Sequence, residues 1–138
     1  MNERPGIGIA ALRVVAGLIF IMHGYPKLFG GIEGAAGFFG SLGIPLPTVA
    51  AWFIALLETV GGLALILGVF VTPFAALLAL HMLAGILLVH IENGFYVVGP
   101  GQGGVEFNLL LIASMLVLIF AGPGAFSIDE KRASSSVT

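Results

Sequence analysis

The chain alternates between long apolar runs and short stretches rich in glycine, proline and polar residues. The first run extends from Ile7 to Phe29, close to the ~20 residues a helix needs to cross a bilayer core. A Gly- and Pro-rich stretch, 30–47, cannot span, but Gly34 to Leu42 has the composition of a short interfacial helix with Phe38, Phe39 and Leu42 turned to lipid. A second run covers Val49 to Phe70, with Thr48 as its expected N-cap and Trp52 as an interface anchor. From Thr59 to Ile91 the chain carries no formal charge over 33 residues, which as one helix would measure about 50 Å. That is too long for a single crossing, so Gly68 and Thr72-Pro73 are read as a break, with a third span over 73–91. Gly94 to Gly104 forms the next loop, and Val105 to Ala121 the fourth span, stopped by Gly122-Pro123-Gly124. The pattern predicts an all-α membrane protein: one integral domain, 1–138, built as a four-transmembrane-helix bundle with spans over 7–29, 49–70, 73–91 and 105–121. The polar tail with Lys131, Arg132 and its serines is expected to lack structure.

Composition sharpens this class. Hydrophobic residues make up 59% of the chain and charged residues 9%, against about 25% charged in soluble domains. Mean hydropathy is +1.14. The net charge of −2 and the absence of a basic stripe give no footprint for nucleic acid. There are no cysteines, so thiol redox chemistry and thiolate metal sites are excluded.

A positively charged start before an apolar run also describes a signal peptide. Arg13 inside the run and His23-Gly-Tyr-Pro-Lys27 at its far end oppose that reading, so the segment is taken as an uncleaved span. Pro26 lacks an N–H and should loosen the helix at its exit. Four spans put both termini on one side, with Arg4, Arg13, Lys131 and Arg132, against Lys27 alone on the other. This favours cytoplasmic termini in a bacterial inner membrane.

Ionisable residues at membrane depth are costly and point to pairing or function. Arg13 lies about 10 Å inside one end of its span and Glu58 about 15 Å inside the other end of its own. An extended arginine can bridge the remaining difference, so a buried Arg13–Glu58 ion pair is expected. On helical spacing Arg13, Gly17, Phe20, Gly24 and Lys27 form one stripe, and Ala51, Ala55, Glu58 and Gly62 another, both with small residues that permit close packing. At the outer end His23, Lys27, His90, Glu92 and Glu106 should gather. His23, Lys27, His90 and Glu106 are the candidate ligand-binding set; the plainer reading is a set of opposite charges that fixes helix register.

Other signals carry less. Gly99-Pro-Gly-Gln-Gly-Gly104 has the spacing of a dinucleotide fingerprint but no acidic residue some twenty positions on and no βαβ unit, so it reads as a flexible loop. Two of His23, His81 and His90 could ligate haem, yet lone histidines on apolar helices are more often hydrogen-bonded packing residues, and haem is not expected. No recognisable metal-ligand spacing exists, and Ser41 and Ser114 read as loop and packing residues.

These residues carry a resemblance. The blocks L-R-V-V-A-G-L-I-F and H-G-Y-P-K-L-F-G-G, then L-E-T-V-G-G-L-A-L-I-L-G-V-F-V-T, then E-F-N-L-L-L and A-G-P-G-A-F-S-I-D, resemble the DoxX family in order and spacing from Arg13 to Asp129. The resemblance implies a small four-helix bacterial inner-membrane protein whose recurrent polar positions are Arg13, His23, Gly24, Lys27, Glu58 and Glu106. It also implies a link to quinone-coupled oxidation or oxidative-stress complexes. Without cysteine, a redox role here needs a bound quinone, another cofactor, or a membrane or soluble redox partner protein. An accessory subunit of a quinone-linked oxidoreductase is therefore the leading expectation, and a non-catalytic scaffold or assembly factor the alternative. Whether the chain is itself an enzyme is left open, as is a homo-oligomer. A small transporter is disfavoured because four spans leave little room for two gates.

Overall fold

The computed structural model describes residues 4–99 and 102–136; Pro100 and Gly101, at the centre of the glycine-rich loop motif, and Glu3 lie outside them. All regular structure among these residues is helical. Helix α1 runs Arg4–Pro26, α2 Ile32–Ser41, α3 Pro47–Leu67, α4 Val71–Gly85, α5 Glu106–Ala121 and α6 Ile128–Ser135. Among the described residues, three segments are long and apolar enough to cross a membrane: Arg4–Ser41, Pro47–Leu67 and Val71–Asn93. Glu106–Ala121 is a shorter apolar helix. Its 16 residues measure about 24 Å, somewhat less than a ~30 Å hydrocarbon core.

The four long helices close a ring. Helix α1 packs against α3 and α5, α4 packs against the same two, and α2 lies on α3. Phe20, Leu65, Leu78, Met115 and Leu118 fill the centre at 2% exposure or less, whereas Leu18, Leu80, Leu110 and Phe120 point outward. An apolar exterior over an apolar core is what a bilayer permits and water does not.

The tightest contact is between α1 and α3, made by glycines. A β-carbon on Gly17 would sit 2.5 Å from the Gly62 carbonyl oxygen, and one on Gly62 the same distance from the Gly17 carbonyl. Farther along, a β-carbon on Gly24 would lie 2.7 Å from both the Glu58 β-carbon and the Thr59 backbone nitrogen. Close backbone approach of this kind replaces the hydrophobic drive that lipid removes.

Helix ends follow local chemistry. Beyond Pro26 the chain makes a wide π-type turn, Lys27–Gly31, in which Phe29 and Gly30 leave helical geometry, Gly30 at φ +107°. Gly43 ends α2 and Gly68 ends α3 in the left-handed region, each with the paired backbone bonds of a Schellman turn (Ile44 N–H to Phe39 O, 3.1 Å; Val69 N–H to Ala64 O, 3.0 Å). Thr48 does not cap α3. The helix starts one residue earlier, at Pro47, whose missing N–H suits the first helical position.

The tail is also ordered where disorder was expected. The Ser127 hydroxyl accepts from Glu130 N–H at 3.1 Å and starts α6. The Asp129 carboxylate then accepts from Phe70 N–H (3.0 Å) and Val71 N–H (2.9 Å), capping α4. Compositional polarity of the tail gave no sign that its carboxylate was needed by another helix.

Candidate functional site: a lysine–glutamate–histidine group inside the bundle

The antiparallel register of α1 and α3 decides which charges meet. Gly17 lies level with Gly62 and Gly24 with Glu58, so Arg13 falls level with Gly68 at the far end of α3. The expected Arg13–Glu58 pair is therefore not formed: the two residues are separated by about ten residues of helix, roughly 15 Å.

Arg13 is 1% exposed, and it binds backbone instead. Its guanidinium donates to the carbonyls of Pro123 (2.7 Å), Ala125 (3.4 Å) and Phe126 (3.4 Å). It lies against Gly68, where any side chain would collide with Arg13 Nη1 and Ser127. The Ala125 N–H closes the same junction on Gly6 O at 2.9 Å. Arg13 is thus a clasp that holds the segment between α5 and α6 over the α3–α4 turn. A planar fork of donors suits several carbonyls in a way a single ammonium cannot.

Glu58 sits at the opposite end of that register, and its side chain is 5% exposed. One carboxylate oxygen takes the Lys27 ammonium. The other accepts from His81 Nε2 at 2.8 Å. Three helical elements meet in this group: the turn after α1, then α3, then α4. Gly24 lets α1 approach Glu58, and the proline-loosened turn brings Lys27 back over it. A carboxylate at this depth is tolerable because both oxygens receive charge-assisted or ring N–H donors. The group is not sealed, since the side chains of Lys27 and His81 are 27% and 16% exposed.

The other predicted residues divide. His23, one turn before Lys27, is exposed; its Nδ1 lies 2.9 Å from Ile19 O, and its ring is 6.4 Å from the Phe107 ring of α5. His90 and Glu106 do not join Lys27. His90 Nδ1 lies 2.5 Å from Gly103 O, and Glu106 accepts from Val97 N–H at 2.7 Å, so both hold the loop 94–105. Glu92 is exposed on the short helical turn Ile91–Asn93. The gathering expected at this end is therefore split: Lys27 turns to Glu58, while His90 and Glu106 bind the backbone of a loop that is also held by Gly103 N–H to Val97 O and Gly104 N–H to Tyr96 O.

Sequence reasoning missed His81 as a partner of Glu58. The available signal was its position about 15 Å into α4 from Val71, near mid-bundle, where an unpaired imidazole would be costly. Among the described residues, no three His, Asp or Glu side chains converge to hold a metal ion. A surface cleft of about 650 Å³ lies at the termini end against Pro5, Ile9, Thr72, Pro123 and Glu130, remote in the fold from Glu58. The clasp segment, Pro123 to Ala125, forms one wall of it.

Comparison with known proteins finds relatives along nearly the whole chain. The chain is 35% identical over 129 residues to a Bacillus subtilis protein named "Putative oxidoreductase CatD", covering 94% of this chain and 90% of that protein. It is 32% identical over 130 residues to the Escherichia coli "Inner membrane protein YphA", covering 93% and 91%. A Mycobacterium tuberculosis "Uncharacterized membrane protein Rv3486" is 26% identical over 130 residues, covering 89% and 80%. No solved structure matches the chain. The family model described as DoxX matches residues 8–91, which hold Arg13, Lys27, Glu58 and His81. This multi-pass membrane protein belongs to the DoxX family.

Proposed function

We propose that the protein is an inner-membrane accessory subunit of a quinone-linked redox system, and that the Lys27–Glu58–His81 group is where a quinone headgroup docks. The observation that carries this reading is the single Glu58 carboxylate shared between the Lys27 ammonium and His81 Nε2 within an apolar bundle. Quinone reduction takes up two electrons and two protons. Lys27 has further N–H donors to offer a carbonyl oxygen, and Glu58 and His81 form a short chain along which a proton can be held and passed. Apolar walls suit an isoprenoid tail. The chain has no cysteine thiol to carry electrons, and in this reading a partner protein supplies them. The Bacillus relative's name and the Escherichia relative's inner-membrane name are in keeping with this setting. With the termini cytoplasmic, as the Lys/Arg distribution favours, α6 and the Arg13 clasp lie on that side. Lys27 and His23 then face the outer leaflet, with His90 and Glu106 holding the loop beside them.

A scaffold role is favoured by one fact: both Glu58 oxygens are already occupied. The two readings separate in one experiment. The protein is reconstituted in lipid nanodiscs, assayed for co-purified quinone by extraction, and titrated with decyl-ubiquinone. Saturable binding that weakens at least tenfold in Lys27→Met, with the helix content retained, supports the quinone site. A lack of both co-purified quinone and saturable binding leaves the scaffold.

A further inference from the structure

His23 is a polar side chain exposed on the outside of an apolar helix, and its hydrogen bonding is one-sided. Nδ1 lies 2.9 Å from the Ile19 carbonyl, one turn back on the same helix. A carbonyl oxygen can only accept, so in the neutral imidazole the proton sits on Nδ1 and Nε2 keeps its lone pair. His23 at this seam is therefore an acceptor. Acyl chains offer it no donor.

Two neighbours define what could supply one. The Phe107 ring of α5 lies 6.4 Å away and tilted by 31°, an apolar wall on the opposite side of the α1–α5 seam. Lys27 is four residues on, at the start of the wide turn, and its ammonium meets Glu58, which also holds His81. A flat ring seated against Phe107 would bring a substituent to Nε2 and its far edge toward Lys27. A quinone presents carbonyl oxygens, which only accept and gain nothing from Nε2. A hydroquinone presents O–H groups, which donate.

We infer that His23 Nε2 accepts a hydrogen bond from an aromatic hydroxyl, so that this seam selects the reduced, hydroxyl-bearing form of the ligand. The inference rests on the quinone reading above and deepens it by assigning the redox form and the residue that reads it. His23 acts here in recognition, and no electron transfer is assigned to it.

The test uses the full chain in lipid nanodiscs with decyl-ubiquinol, kept reduced under argon, and decyl-ubiquinone as probes. Binding of each is measured to wild type and to His23→Phe, which keeps an aromatic ring beside Phe107 and removes the acceptor. Nitrogen-15 spectra of the three histidines, assigned by difference with the variant, report the tautomer. We expect wild type to prefer the quinol by about tenfold, the scale of one well-placed hydrogen bond at a partly desolvated site. His23→Phe should lose that preference through weaker quinol binding. The spectra should show an Nδ1–H tautomer whose Nε2 resonance moves on adding quinol. Equal affinity for the two forms, a preference that survives in His23→Phe, or an Nε2–H tautomer would each overturn the inference while leaving quinone binding itself in place. Failure of both probes to bind wild type would overturn the quinone reading together with it.

Discussion

Gly17 of α1 and Gly62 of α3 face each other so closely that a β-carbon on either would lie 2.5 Å from the other's carbonyl oxygen. This contact fixes more than packing. It sets the antiparallel register that puts Glu58 beside Gly24 and under Lys27, and Arg13 beside Gly68. The Lys27–Glu58 contact is therefore a consequence of two small residues lying one turn from Glu58 and about three turns from Lys27.

Substitution at this contact should act on stability first. Gly62→Val must push the α1 backbone away, and overpacking of this kind costs about 1–3 kcal/mol. Gly8, which has nothing within 4 Å of its β-position, provides the control. Unfolding in mixed micelles should show the loss for Gly62→Val and little change for Gly8→Ala. Equal effects would mean that the α1–α3 approach is not the constraint described.

Arg13 makes the second prediction. Lysine keeps the charge but has no planar fork, so Arg13→Lys leaves at least one of the Pro123, Ala125 and Phe126 carbonyls without its donor. An orphaned buried acceptor costs roughly 1–3 kcal/mol. Because the clasp joins the segment after α5 to α1, amide exchange should rise across 123–130 while α5 stays protected. Uniform exchange along the chain, unchanged from wild type, would count against a clasp.

The fold class was legible because apolar run length and Gly/Pro punctuation report directly on spanning helices. The stripes containing Gly17, Gly24 and Gly62 were legible as faces for close packing. What the stripes did not contain was their relative register, and a slip of ten residues along α3 exchanges Lys27 for Arg13 as the partner of Glu58. The Arg13 clasp was illegible for a different reason. Its acceptors are backbone carbonyls, which every residue has, so no side-chain pattern in Pro123–Phe126 announces them. His90 and Glu106 carried the right residue types for a ligand site, but the loop they flank offered nearer partners.

Lys27 and Glu58 should behave as a coupled pair. Lys27→Met leaves the carboxylate with His81 alone, and Glu58→Gln leaves the ammonium facing a neutral amide. Each single change should destabilise by on the order of 3 kcal/mol, since removing one partner strands the other. The double variant should cost less than the sum, with a coupling energy of about 1–3 kcal/mol. Simple additivity in a double-mutant unfolding cycle would show that the contact is energetically incidental.

Asp129 offers a prediction about the end of the bundle remote from Glu58. Its carboxylate caps α4 through Phe70 and Val71 N–H, so Asp129→Ala should cost about 1 kcal/mol and fray the first turn of α4. Asp129→Asn retains an acceptor oxygen and should recover part of the loss. Exchange rates at Phe70 and Val71 read the effect directly, and identical rates in the two variants would show that the retained acceptor oxygen contributes nothing and that the charge carries the cap.

Glu106 tests whether the loop residues belong to the ligand site at all. Glu106 Oε1 accepts from Val97 N–H at 2.7 Å, while the neighbouring backbone ladder runs from Phe95 to Glu106. Glu106→Gln can keep that bond through its amide oxygen, whereas Glu106→Ala cannot. If the residue only orders the loop, the glutamine variant should bind decyl-ubiquinone as wild type does, and the alanine variant should show faster exchange at Val97. If instead glutamine binds at least tenfold more weakly with Val97 still protected, the negative charge itself is needed. Glu106 would then rejoin Lys27 as a ligand-facing group, reached by a loop arrangement other than the one in this structure.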